Sequence, residues 1–128
     1  DITLPRAPCN ILSLDIVDVT GVHAMNMEGR LHKHILDSSG KKIGTQDAMH
    51  EALDKDIEAV FASTVDSIKK NQGCQIEGEV QLHKVPGNFH LSSHDYPKIF
   101  EKLILSNHRI DFSHTINHLS FGDLKEAQ

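Results

Sequence analysis

The side chains in this sequence that can do chemistry are ten histidines in 128 residues, two cysteines and 18 acidic groups. Histidine titrates near pH 6.5 when unperturbed and is a frequent metal ligand. With every histidine neutral the formal charge is −5, and protonating all ten reverses it to +5. The sequence pI of about 6.0 puts the sign change in mildly acidic conditions. Tests for metal spacing mostly fail. His50-Glu51-Ala52-Leu53-Asp54 starts like the zinc-protease motif, but Asp54 stands where the second imidazole belongs. Asp54-Lys55-Asp56-Ile57-Glu58 starts like a calcium loop but lacks the glycine of its sharp turn, and its apolar residue suits a helix. His114 and His118 would share a metal on a helix, whereas on a strand they lie about 13 Å apart at about 3.3 Å per residue. His32 and His34 form a closer strand pair, about 6.6 Å between Cα atoms, yet two ligands do not make a site. His90 and His94 fall short in the same way. There is no G-x-S-x-G, no glycine-rich phosphate loop and no C-x-x-C. No catalytic residue, metal set or cofactor is assigned, no enzyme activity is expected, and a His-rich metal-binding domain is the minor alternative. Cys9 and Cys74 read either as two buried thiols or as one disulfide closing a long loop, worth about 4 kcal/mol in the entropic picture.

The elements that must position these residues are short. A chain of this length makes one domain, residues 1–128, with a core of its own. Hydrophobic residues at 38% and charged residues at 24% argue against disorder. No apolar run approaches the roughly 20 residues of a membrane-spanning helix. The acidic balance, the absence of basic clusters beyond Lys41-Lys42 and Lys69-Lys70, and zero Trp with one Tyr exclude a nucleic-acid surface. The chain starts at Asp1 without Met or leader, and so reads as an excised or processed segment.

Residues 9–19 carry apolar side chains on both parities and read as a strand covered on parts of both faces. Residues 30–36 read as a second strand, ended by the turn residues Asp37-Ser38-Ser39-Gly40. The clearest pattern is over 46–70, where Leu53, Ile57, Val60, Phe61, Thr64, Val65 and Ile68 predict one amphipathic helix. Thr45 is its expected N-cap, Asp47 and Glu51 lie near its positive end, and Gly73 is its expected stop. Residues 74–85 alternate and predict a half-buried strand. Pro86-Gly87 suits a type II turn, and 88–92 resume the alternation, so 74–92 read as a hairpin. Residues 97–105 predict a short helix with Ile99, Phe100, Leu103 and Ile104 on its apolar side. Residues 111–121 predict a strand with a bulge or bend. The fold class is mainly β within α+β: antiparallel sheets, sandwich-like, with one long helix near 46–70 against a face.

Three blocks of residues bear a family resemblance. They are Gly73-Cys74-x-Ile76-x-Gly78, then Lys84-Val85-Pro86-Gly87-Asn88-Phe89-His90, then Ser113-His114-Thr115-Ile116-Asn117-His118-Leu119-Ser120-Phe121-Gly122. Together with Asp1–Pro5, Cys9 and Leu14-Asp15-Ile16-x-Asp18, they resemble the endoplasmic reticulum–Golgi intermediate compartment proteins, also called endoplasmic reticulum vesicle transporters. Residues 41–72 carry little of this signature. The resemblance implies the first half of a β-rich luminal domain, with its transmembrane helices, tails and second luminal half outside this chain. The cysteine-rich segment of one subfamily is not present, so the chain resembles the smaller, cysteine-poor members more closely. The implied role is that of a cargo receptor cycling between endoplasmic reticulum and Golgi in COPII and COPI vesicles. The implied partners are another family member, in a hetero-oligomer, and secretory or resident cargo proteins. A purely structural pairing module is the other reading. An oxidising lumen implies a Cys9–Cys74 disulfide, and no N-x-S/T sequon is present. The motif around Phe89 reads as structural, its Pro and Gly setting a turn and Phe89 filling the core. His90, His94, His114 and His118 are the candidates for pH-sensitive binding, since the Golgi lumen is the more acidic compartment.

Overall fold

A computed structural model of the chain describes residues 1–20, 31–47, 57–82, 84–93 and 97–122. Along them run β1 (Ile2–Leu4), a 3-10 turn (Cys9–Ile11), β2 (Ser13–Asp18), β3 (Leu31–Leu36), β4 (Lys42–Asp47), α1 (Ile57–Lys69), β5 (Gly73–Gly78), β6 (Gly87–Ser92), α2 (Pro97–Leu105) and β7 (Thr115–Ile116). Five strands form one sheet in the order β4-β3-β5-β1-β7, and β2 and β6 form a separate ribbon. Every pairing is antiparallel. The class is therefore mainly β with two helices, as the alternating patterns require. The second sheet has two strands among the described residues.

Period-two alternation assigns the two faces of the large sheet. Thr45, His34, Gln75, Thr3 and Thr115 stand in direct register across all five strands, a polar row. The opposite face carries Ile35, Cys74 and Leu4 in one row and Lys33, Ile76, Ile2 and Ile116 in the next. Leu4, Ala7, Cys9, Leu12, Cys74 and Ile76 form the buried cluster beneath that face.

Lys33 lies on this apolar face and is 1% exposed. A buried ammonium is costly unless hydrogen-bonded. Its Nζ donates to the carbonyls of Cys9 at 2.9 Å and Leu12 at 3.0 Å, which bracket the 3-10 turn. Cys9 is disulfide-bonded to Cys74 on β5, with Cα atoms 5.0 Å apart across 65 residues of sequence. The chain-entropy account gives such a closure about 4 kcal/mol. Of the alternatives left open by spacing, the pairing implied by an oxidising compartment is the one present.

The helices form their own layer. Val60, Phe61, Val65 and Ile68 of α1 pack with Ile99 and Leu103 of α2 around Ile11, which is fully buried. The expected helix over 46–70 is thus shorter among the described residues. Thr45 and Asp47, expected at its start, belong to β4, and 48–56, with Glu51 and Leu53, lie outside the described residues. The reason is the Asp37–Gly40 turn, which returns the chain instead of merely ending β3. The Asp37 carboxylate accepts from the backbone N–H groups of Ser39 and Lys41, both at 2.9 Å. Gly40 takes φ +90°, open to glycine, and β4 pairs back on β3. At its other end α1 stops at Asn71 (φ 55°), with Gln72 N–H bonding Ser67 O and Asn71 N–H bonding Ile68 O. This is a left-handed cap closed by Asn, and Asn107 (φ 63°) repeats it after α2.

Gly73 therefore does not stop α1. It begins β5, where a Cβ would lie 2.4 Å from Pro5 O and 2.6 Å from Leu4 O. The expected 74–92 hairpin is also replaced: β5 pairs with β1 and β3, and β6 pairs with β2. Gly87 is not a turn residue of positive φ. It is the strand residue opposite Asp18, where a Cβ would sit 2.8 Å from Val17 O. Of the strand expected over 111–121, Thr115 and Ile116 alone pair in a sheet. Gly73→Ala should therefore destabilise the protein by about 3 kcal/mol, since fixed backbone blocks the added methyl. Gly44→Ala, whose Cβ meets the Ile35 side chain at 3.4 Å, should cost less than about 1 kcal/mol. Paired urea-unfolding curves check both values.

Candidate functional site

The three signature blocks lie in three different settings. Gly73 begins β5 and Gly78 ends it; between them Cys74 and Ile76 are 0% and 4% exposed. Lys84 to His90 are exposed along the approach to β6 and its first half. Phe89, expected in the core, is 43% exposed. It sits opposite Ile16, in the third of the six pairs counted from the Asp18–Gly87 end of the ribbon. Val19 N–H bonds Pro86 O at 2.8 Å, which places exposed Val19 and Val85 at the same end.

The third block, Ser113 to Gly122, is exposed throughout. Residues 112–121 contain no Lys, Arg, Asp or Glu. Phe112, Ile116, Leu119 and Phe121 present apolar surface, Phe121 at 69%. Asn117 anchors the block, its Nδ2 donating to Thr3 Oγ1 at 2.7 Å and Asp1 Oδ1 at 3.0 Å. The Asp1 carbonyl accepts from Asn117 N–H and His118 N–H.

The proposed pH-sensing histidines are not brought together. His90 lies on β6 opposite Asp15. His114 Nδ1 donates to Phe112 O at 3.1 Å, and His118 Nε2 is 3.1 Å from Ser120 Oγ, both beside β7. His94 lies outside the described residues. No group of three or more metal-ligating side chains stands together among the described residues.

Among the described residues, His34 faces a carboxylate. Its Nε2 lies 2.5 Å from Glu77 Oε1, and its Nδ1 lies 2.9 Å from Thr45 Oγ1. Neutral His34 donates from Nε2 and accepts the threonine hydroxyl at Nδ1. Doubly protonated, it donates to both oxygens, so neither state leaves a ring nitrogen unsatisfied. Lys42 Nζ is 4.0 Å from Glu77, and the His32 ring is 6.4 Å from that of His34. The hydrogen bond from His34 holds the Glu77 carboxyl below its usual range, against burial, and the charge of Lys42 adds to it. Thr45 thus orients an imidazole instead of capping a helix. Sequence reading weighed His32 and His34 as a chelate and passed over Lys33 and Glu77. The signal for Lys33 was present: it shares parity with Leu31 and Ile35, on the buried side.

Comparison with known proteins gives these features a context. The sequence pattern described as endoplasmic reticulum vesicle transporter matches residues 46–128. The chain is 31% identical over 123 residues to endoplasmic reticulum-Golgi intermediate compartment protein 1 of Xenopus laevis, covering 96% of this chain and 29% of that protein. It is 28% identical over 151 residues to endoplasmic reticulum-Golgi intermediate compartment protein 2 of Homo sapiens, covering 99% and 40%. It is 21% identical over 189 residues to ER-derived vesicles protein ERV46 of Saccharomyces cerevisiae, covering 95% and 46%. The human and yeast alignments, over 151 and 189 residues, are both longer than this chain of 128 and so include positions without a counterpart in it. The chain spans less than half the length of these curated relatives. No solved structure matches.

The Glu77 environment sets a pH dependence. Its folded pKa lies below its unfolded value of about 4.3, so the unfolded chain binds more protons in that range. The pair's contribution is full above the unfolded pKa and is lost as pH falls through the folded one. Glu77→Gln should cost about 0.5–1 kcal/mol at neutral pH, as for a partly exposed pair. The gap to the parent protein should close as the solution is acidified through the carboxylate range. Thermal melts across that range test this, and a gap that widens on acidification would contradict it.

Proposed function

Because the chain belongs to the endoplasmic reticulum vesicle transporter family, we propose that it is the luminal, protein-recognising part of a receptor cycling between endoplasmic reticulum and Golgi. It acts by surface complementarity, without covalent chemistry. Its partners are a second family member and secretory or resident cargo, carried in COPII and COPI vesicles. The observation that carries this reading is the exposure of the second and third signature blocks. Phe89 and Phe121 stand 43% and 69% exposed in stretches where core packing gives no reason for an aromatic. Aromatic side chains on a surface are favoured anchors in protein interfaces. The charge swing of ten histidines supports a dependence of binding on compartment pH, with His90, His94, His114 and His118 the surface set to test.

The pairing-module reading is favoured by a different observation. β7 is one of the two outer strands of the five-stranded sheet, opposite β4, and the residues around it lack the charges that usually protect an edge. On that reading a strand of the second family member continues the sheet.

A capture experiment with this chain as bait, from detergent-solubilised secretory membranes at neutral and mildly acidic pH, tests the proposal. Recovery of a family member or of resident proteins, differing between the two pH values, is expected. Phe89→Ser and Phe121→Ser should each reduce recovery severalfold while changing stability by less than about 1 kcal/mol, as exposed sites do. Equal recovery by parent and variants would remove both phenylalanines from the recognition surface.

A further inference from the structure

The Cys9–Ile11 turn joins the sheet to the helix pair, and Ile110, packed against both apolar clusters, is a second link without a covalent bond. The principal contacts of α1 are with α2 and with this turn, and those of α2 are with α1. Each residue of the turn is committed to a different neighbour. Cys9 is bonded covalently to Cys74 on β5. Asn10 Nδ2 donates to Thr64 Oγ1 at 2.8 Å and lies 3.5 Å from Val60 O, both on α1. Ile11 is 0% exposed between the helices. The sheet is held independently, by six-residue ladders between β3 and β5 and by the β1 pairing.

We propose that this turn is a redox-controlled coupling between the sheet and the helix pair. With Cys9 and Cys74 as thiols the sheet forms but the turn is loosely held, and α1 and α2 are not docked. Oxidation by a disulfide-bearing protein or small molecule completes the domain. The two thiols lose two protons and two electrons, the Cys9–Cys74 bond forms, and the oxidant's disulfide breaks to two thiols. The finished bond is guarded, since Cys9 and Cys74 are 4% and 0% exposed and a reductant reaches them only after local opening. Until oxidation, the apolar faces centred on Phe61, Val65, Ile99 and Leu103 stay accessible.

Hydrogen exchange read by mass spectrometry tests this on the whole chain. The protein is compared oxidised, reduced with a phosphine, and reduced then treated with oxidised glutathione. Reduction should speed exchange in 57–69 and 97–105 by about tenfold or more while 31–36 and 73–78 stay within about twofold. Oxidised glutathione should restore protection of the helices. Asn10→Ala in the oxidised protein should loosen 57–69 while leaving the disulfide intact by mass. Unchanged helix protection on reduction would overturn the proposal. So would simultaneous loss of sheet and helix protection, or a Cys9→Ser/Cys74→Ser protein that does not fold, because the disulfide would then support the whole domain and not its coupling.

Discussion

The three-residue turn Cys9–Ile11 is the point on which the described structure depends. It is fastened to β5 by the Cys9–Cys74 bond, and Lys33 reaches from β3 to the carbonyls at Cys9 and Leu12. Those carbonyls lie in an apolar cluster where backbone oxygens without partners would each cost about 1–3 kcal/mol. Burying the ammonium is offset by these two hydrogen bonds, which help fix the turn's position over the sheet. Ile11 can then point away from the sheet into the helix pair. A small domain with two thin apolar layers gains from such a joint, because neither layer buries much surface by itself.

The same geometry divides the family signature into two kinds of residue. Gly73 and Gly87 are forced by contact, since a side chain at either would run into the backbone of a neighbouring strand. Cys74 and Ile76 are core. Phe89, Phe121 and the uncharged stretch between Phe112 and Phe121 have no such internal reason, and they are the part of the signature that faces outward. The polar face of the sheet is different again. His34, Glu77, Thr45, Gln75, Asp1, Thr3 and Asn117 bond mainly to one another across the strands. That satisfaction marks the face as a cross-strand brace.

What could be read along the chain was local. Alternation in 88–92, the i, i+4 stripe from Ile57 to Ile68, the short apolar side of 97–105 and the turn chemistry of Asp37–Gly40 correspond to real elements, and of the strand expected over 74–85 the part up to Gly78 forms. The disulfide came from the family resemblance and its compartment, since spacing left it open. Three readings failed for one reason. The run from Cys74 to Ser92 looked like a hairpin because both halves alternate, yet alternation says which face a side chain takes and nothing of which strand lies beside it. Thr45 and Asp47 looked like a helix start because caps and strand residues overlap in type, and β4 is decided by its return onto β3. Phe89 looked like core because it is large and apolar, but at its place on β6 the ring stays 43% exposed.

By itself, then, the amino-acid order determined the class of fold, the existence and period of most elements, the acidic charge with its histidine reserve, and membership in a transport family. The family follows from the resemblance of its signature blocks; the others follow from side-chain periodicity and residue type, which act over a few neighbours. Tertiary structure alone decided the partners: which strands pair, that Lys33 is buried and bonded to the turn, that His34 meets Glu77 and Thr45, and that the aromatic residues of two signature blocks stay outside. Those outcomes depend on contacts between residues distant along the chain, where the free energy comes from fitting surfaces together and not from the preference of any one segment.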